Sequence, residues 1–172
     1  MGQHMHIRKI AEDDWDGIVA LEAETYIDSD LSEEREALES RGNASPDTSF
    51  VLDSEQQIVG YCLALPYPMF QYPDLARGEV TVYRSRNLHL HDFVVAESFR
   101  GKGWSGQLLN RLMDTARSKG YEHISLVALG GADAFWSANG FQRRHDVALP
   151  QSYGPDAVYM TKEADEHVSH PR

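Results

Sequence analysis

The chain has 172 residues, 41% of them apolar and 10% aromatic, enough to bury one core and too few for two ordinary domains. A formal charge of -11 excludes a nucleic-acid binder, because phosphate backbones are held by clustered Lys and Arg, and it favours a cationic or neutral small partner. The single cysteine, Cys62, makes neither an internal disulfide nor a cysteine-rich metal site, and it fits a reducing, cytoplasmic setting. No apolar run approaches the ~18 residues of a spanning helix, and the start lacks a signal-peptide stretch, so neither membrane nor export is expected.

Residues 1–4, ahead of Met5, read as a cloning remnant, and 163–172 as a flexible polar tail; one domain over 5–162 remains. Residues 5–10 read as a strand. Residues 12–23 follow as a helix, with Trp15, Ile18, Val19 and Leu21 at mostly helical spacing. Asp30 with Glu33 three residues on marks a second helix over 34–40, closed by Arg41-Gly42-Asn43. Residues 49–52 and 58–65 form a hairpin around a slightly long loop, 53–56. Three prolines and four aromatics make 66–86 an extended loop, which either walls a pocket or is pinned to the core by its rings. Residues 88–95 are the strongest strand. Residues 105–119 are a helix with Leu108, Leu109, Leu112, Met113 and Ala116 on one face, stopped by Gly120. A strand over 123–128, a short helix over 132–139 closed by Gly140, and a last strand within 147–162, clearest at 158–160, complete the chain. This order belongs to one α/β mixed sheet with helices on both faces.

Between the strongest strand and the strongest helix lies Arg100-Gly101-Lys102-Gly103-Trp104-Ser105-Gly106. Glycines let backbone N–H groups approach a ligand, a helix N-terminus adds partial positive charge, and Arg100 and Lys102 add full charges, which together make an anion site of pyrophosphate size. It is no Walker loop, since Gly-x-x-x-x-Gly-Lys-(Ser/Thr) is absent. The bare Gly-x-Gly-x-x-Gly of 101–106 lacks the surrounding βαβ unit of a dinucleotide fold.

Phe93-Val94-Val95 followed by Phe99-Arg100-Gly101-Lys102-Gly103 resembles motif A of the GCN5-related N-acetyltransferases, and Phe135-Trp136-Ser137-Ala138-Asn139-Gly140-Phe141 resembles motif B. The resemblance covers nearly the whole ordered chain. It implies a mostly antiparallel sheet splayed where the acetyl group sits, with acetyl-CoA as cosubstrate and no metal. By the same resemblance, Phe93, Val94 and Val95 hydrogen-bond the pantetheine arm and residues 100–106 hold the pyrophosphate. Ser105 stands where the family has Gly or Ala. Trp136 stands where many relatives carry a tyrosine acid, and an indole cannot do that acid chemistry; Tyr153 and Tyr159 are alternative acids or core residues.

Leu88-His89-Leu90-His91-Asp92 places His89 and His91 on one strand face and Asp92 on the other. The pair is similar to the His-x-His of serotonin N-acetyltransferase, which implies a base relay through His91 and His89. Two ordinary hydrogen-bonded histidines, or two-thirds of a metal site, are the other readings of the same pattern. Asp92 is a base, an ammonium anchor or a partner for a neighbouring cation. Cys62, in an apolar strand, reads as a buried inert thiol, against a ping-pong route. The expectation is direct transfer of acetyl to a small primary amine. Peptide or protein N-termini are the rival acceptors, and a non-catalytic acyl-CoA-binding module is the reading of another class. Edge strands near the C-terminal end allow a homodimer without requiring one.

Overall fold

A computed structural model describes residues 5–28, 31–79 and 81–165. The strands are β1 (Met5–Lys9), β2 (Phe50–Ser54), β3 (Gln57–Pro66), β4 (Asn87–Val95), β5 (His123–Ala128), β6 (Gln142–Arg143) and β7 (Val158–Glu163), and the helices are α1 (Trp15–Thr25), α2 (Arg35–Ala44), α3 (Trp104–Ser118) and α4 (Asp133–Ala138). They build one sheet in the order β1-β2-β3-β4-β5-β7-β6. All neighbours are antiparallel except β4 and β5, which run parallel because α3 carries the chain back from the end of one to the start of the next.

The alternation of side chains divides the core in two. On one face, Leu108, Leu109, Leu112, Met113 and Ala116 of α3, with Trp136 of α4, pack over Leu52, Cys62, Leu88, Leu90 and Ile124. Each fully buried leucine there contributes about 1.5–3 kcal/mol. On the other face, Trp15, Ile18 and Leu21 of α1 and Leu38 of α2 cover Val51, Tyr61, Leu63 and Val94. The helices thus lie on both faces of a mostly antiparallel α/β sheet, as expected.

Local signals misplaced three features. Arg41-Gly42-Asn43 does not end the second helix: α2 runs on to Ala44 because Gly42 lets Trp15 approach, to where a Cβ would lie 2.7 Å from Trp15 Cη2, and because Arg41 is wholly buried among partners. Packing overrides turn propensity there. The hairpin loop is shorter than expected; the turn is Glu55-Gln56, both at positive φ as a two-residue hairpin requires, with Asp53 Oδ1 accepting the Gln56 N–H at 2.8 Å. The third concerns register: Leu90 pairs with Ala64 and Asp92 with Leu63, so His91 is an extra residue that makes a bulge in β4. The Asp30 helix-start signal, residues 1–4 and 166–172 of the tail lie outside the described residues.

Candidate active site

The turn into α3 is open to solvent from Arg100 to Gly103. Gly101 and Gly103 have φ of +76° and +85°, a region that costs an ordinary L-residue about 1–2 kcal/mol, and nothing lies within 4 Å of where their Cβ atoms would be. Gly103 is the N-cap, with no side-chain cap, so the N–H groups of Trp104, Ser105 and Gly106 face outward at the positive end of a 15-residue helix. Lys102 Nζ stands 5.8 Å from the centre of the Phe99 ring, beside the turn. Arg100 is less free than its charge implied. Its Nε–H donates to the Val95 carbonyl at 2.9 Å, tying the turn to the end of β4.

Next to the turn the sheet divides. β4 pairs with β5 only as far as Leu90 opposite Leu126, while β5 continues to Ala128 against β7. Beyond Leu90, the β5-facing edge of β4 has no strand partner among the described residues. The His91 side chain is 2% exposed, yet the residue as a whole is half-buried, so its exposure is in the main chain. Phe93 borders the same opening and meets Trp136 edge-on, with ring centres 5.4 Å apart; Trp136 also packs on Phe135 and Phe141. The indole therefore closes an aromatic wall.

On the α1/α2 face, the bulge turns both His91 and Asp92 inward, which corrects the expectation that Asp92 points away from the histidines. Asp92 Oδ1 accepts from the Tyr26 hydroxyl at 3.0 Å and Oδ2 from the Tyr61 hydroxyl at 2.7 Å. Its partners are phenols, not a cation. Burial pushes its carboxyl up to about 6, against the pull of His91 and the two hydroxyls. Burial and the adjoining Asp92 charge hold both phenols well above their usual range. His91 Nε2 lies 2.7 Å from Glu33 Oε2 and 3.2 Å from Arg41 Nε. Arg41 Nε–H donates to His91 Nε2, while the Glu33 carboxylate calls for a proton on that same nitrogen, so the guanidinium and the carboxylate compete for one ring atom.

Arg41, wholly buried, also donates to Glu33 Oε1, to the Asp74 carbonyl and to Glu79. Burial would raise the Glu33 carboxyl, but the contacts with His91 and Arg41 outweigh it and hold the group below its usual value. Glu22 is raised by burial, opposed by the Ser32 hydroxyl and the Glu33 N–H. One oxygen from each of Glu22, Glu33 and Asp92 lies within 4.8 Å of the others, a spacing that could hold a cation, but all six oxygens of the trio already have a hydrogen-bonding partner.

His89 neighbours His91, with ring centres 6.3 Å apart, and is buried with Nδ1 2.8 Å from Ser125 Oγ. Burial, then the charges of His91 and Arg41, push its pKa well below the usual value, so it stays neutral. The two tyrosines weighed as acids are both buried: the Tyr153 hydroxyl donates to the Pro73 carbonyl, and the Tyr159 hydroxyl accepts the Phe70 N–H at 2.8 Å. These contacts, with Tyr72 to Ala148 and Arg41 to Asp74, pin the aromatic loop 67–86 over the site, where Tyr67, Glu79 and Tyr83 line a cavity of about 210 Å³. A larger opening of about 550 Å³ lies between Leu31 on one side and Gly130 and residues 151–156 on the other. Burial pushes the Cys62 thiol up to about 12, which removes it as a nucleophile.

Residues 15–141 match the model of the acetyltransferase (GNAT) family. The chain belongs to the GNAT acetyltransferase family. No curated protein matches it. This GNAT chain is similar in fold to Ard1 from Thermoplasma volcanium, at 17% identity and a TM-score of 0.73 over 94% of this chain and 99% of that one. The PaiA N-acetyltransferase from Thermoplasma acidophilum, in complex with coenzyme A, aligns at 13% identity and a TM-score of 0.66 over 93% and 99%. The GphF GNAT-like decarboxylase, in complex with isobutyryl-CoA, aligns at 18% and 0.72 over 92% and 99%. Among its described residues, no helix of the GNAT chain is long and apolar enough to cross a membrane.

Sequence reasoning singled out the glycine turn, β4 and both histidines. It missed Glu22, Tyr26, Glu33, Arg41, Tyr61, Asn87 and Ser125 as members of the site. Nothing local marks them, since they arrive from α1 and the residue that follows it, from the residues just before α2, from α2 itself and from β3, β4 and β5, and converge only when the sheet forms.

Proposed function

We propose that the chain is an acetyl-CoA-dependent N-acetyltransferase that moves the acetyl group directly to a primary amine, with a small amine as acceptor. The parting of β4 from β5 after Leu90 carries this reading, because it opens a main-chain edge between the glycine turn and His91. Backbone groups of Phe93 to Val95 would hold an extended pantetheine as a further strand would be held, and the N–H groups of 101–106 would meet the pyrophosphate. Coenzyme A in the structure of a protein of like fold supports that placement.

The acceptor must arrive as, or become, a neutral amine. Four buried carboxylates, Glu22, Glu33, Glu79 and Asp92, surround one buried guanidinium, that of Arg41, and this excess of negative charge favours an ammonium group. The opening of about 550 Å³ is lined by Leu31, two residues before Glu33 in the chain. His91, held between Glu33 and Arg41, takes the proton, a role worth about 10²–10⁴-fold in rate. The nitrogen then attacks the thioester, whose carbonyl is polarised by β4 amides, and the C–S bond breaks to release CoA thiolate. A thiol pKa near ~8.5 makes thiolate a competent leaving group, so Trp136 in place of a tyrosine acid does not block the step.

A panel of small amines, amino acids and peptide N-termini, assayed for acetyl-CoA-dependent release of free thiol, tests the reading. Turnover with a small amine is expected. Acyl-CoA binding without thiol release for any acceptor would leave a binding module instead.

A further inference from the structure

Trp136 stands where β4 and β5 part. Its indole meets Phe93, Phe135 and Phe141 edge-on, with ring centres 5.4, 5.0 and 5.4 Å away and planes 77°, 82° and 76° apart. Phe93 belongs to β4 beyond its last pairing with β5, and Trp136 belongs to α4, which follows β5 in the chain. Their contact therefore spans the two parted strands, on the face of the sheet that α3 covers. Three edge contacts together hold the indole in one plane.

An indole has one polar atom, a nitrogen that donates and cannot accept. A buried tryptophan ordinarily gives that hydrogen to a protein acceptor. Trp136 is only 7% exposed, yet no protein group among the described residues accepts from its Nε1–H. Nor is the nitrogen sealed in the core, because Asn87 Oδ1 is the one fully enclosed side-chain nitrogen or oxygen without a partner among the described residues. The small exposed part of Trp136 therefore includes Nε1, and the N–H is an uncommitted donor.

We propose that the Trp136 N–H is a catalytic hydrogen-bond donor to the thioester sulfur, stabilising the thiolate as the C–S bond breaks while keeping its own proton. The proposal rests on the transferase reading. A pantetheine arm laid along Val95 to Phe93 from the glycine turn brings its sulfur to the Phe93 end of that edge, where the indole packs. The amine nitrogen bonds to the carbonyl carbon, the C–S electron pair passes to sulfur, and the amine's proton goes to His91. The indole loses no hydrogen at any step.

A thiol pKa near ~8.5 lets sulfur leave as thiolate, but a negative sulfur walled by aromatic rings still needs a donor to replace the water it has lost. Hydrogen bonds to a charged partner are the strong ones, so a single N–H suffices to matter. His91, Glu33 and Asp92 gather on the α1/α2 face, whereas Trp136 lies on the α3 face. The amine's proton and the departing sulfur are thus served from opposite sides of the sheet.

Titration of bound CoA tests the donor without turnover, with thiolate absorbance read as the difference from the complex with desulfo-CoA, which lacks the sulfur. The chain's one cysteine, Cys62, is buried and pushed up to about 12, so the coenzyme's thiol titrates alone. Trp136→Phe keeps a ring and removes the N–H. It should lower the ratio of bound thiolate to thiol about tenfold at a given pH and kcat by a similar factor, and leave the KM for acetyl-CoA in place. His91, Glu33, Asp92 and Arg41 are common to both proteins, so their charges cancel in the comparison. Trp136→Tyr, which keeps a donor on a ring, should recover most of both losses. In the ¹⁵N-labelled parent, the Trp136 indole signal should move as bound CoA ionises and stay put with desulfo-CoA. Equal thiol titrations in the parent and a folded Trp136→Phe protein, or an indole signal indifferent to the ionisation, would overturn the proposal. Failure to bind CoA would overturn it together with the transferase reading, whereas a responsive indole without turnover of any amine would sink the transfer and leave the donor.

Discussion

The two ends of the site are built in opposite ways. Around 101–106 the groups offered to a ligand are backbone amides presented by a contiguous turn and helix, exposed and backed by two glycines at positive φ. Around His91 they are side chains drawn from α1, α2, β3 and β4 and from the 67–86 loop, buried and mutually dependent. A group every thioester of one coenzyme shares can be met by backbone. A particular amine and its proton need charges placed in three dimensions. The first end is therefore expected to tolerate side-chain change and resist backbone change, and the second to do the reverse.

The sharpest test of the contrast is His91→Ala, expected to lower kcat by about 10²–10⁴-fold while acetyl-CoA binding, followed by calorimetry, stays near that of the parent. Equal damage to both would erase the division. Arg41→Met comes next. It strands Glu33 and Glu79 in the interior and should cost about 3–5 kcal/mol in urea unfolding, because a buried charge left alone is worse than none. At the other end, Gly103→Val places a β-branched residue at φ +85° and should weaken acetyl-CoA binding about tenfold with a loss of only about 1–2 kcal/mol in stability.

Asp92 supplies a test by pH. Its folded pKa is raised from 3.8 to about 6, so the folded chain holds that proton more tightly than the unfolded one. Its contribution is favourable below the unfolded value and is lost as pH rises through about 6. Asp92→Asn should therefore gain on the parent in thermal stability as pH is raised from about 4 to 7, and a constant difference across that range would contradict the raised pKa. The smallest effect is expected away from both ends: Gln56→Gly relieves a residue at φ 72° in the β2–β3 turn and should add about 0.5–1 kcal/mol or less, with activity untouched.

The parts legible in advance share one property. The glycine turn, the amphipathic stripe of α3 and the alternation along β4 up to Leu90 are all encoded within a few residues of one another. Where reading failed, the deciding contact was distant in sequence. Arg41-Gly42-Asn43 has the composition of a turn, and only Trp15 and the buried carboxylates keep it helical. Asp92 was assigned to the wrong face because a bulge depends on register with β3, which no residue of β4 announces.

The sequence by itself determined the order of elements, the glycine-lined entry to α3 and the placing of two histidines on one strand, since backbone conformation and side-chain periodicity are local properties. Only the tertiary structure decided that Asp92 lies under two phenols and that Glu33 and Arg41 gather around His91. Those outcomes depend on hydrogen bonds and burial between segments up to 66 residues apart, and a charge or a proton is placed by whatever surrounds it after the chain has closed.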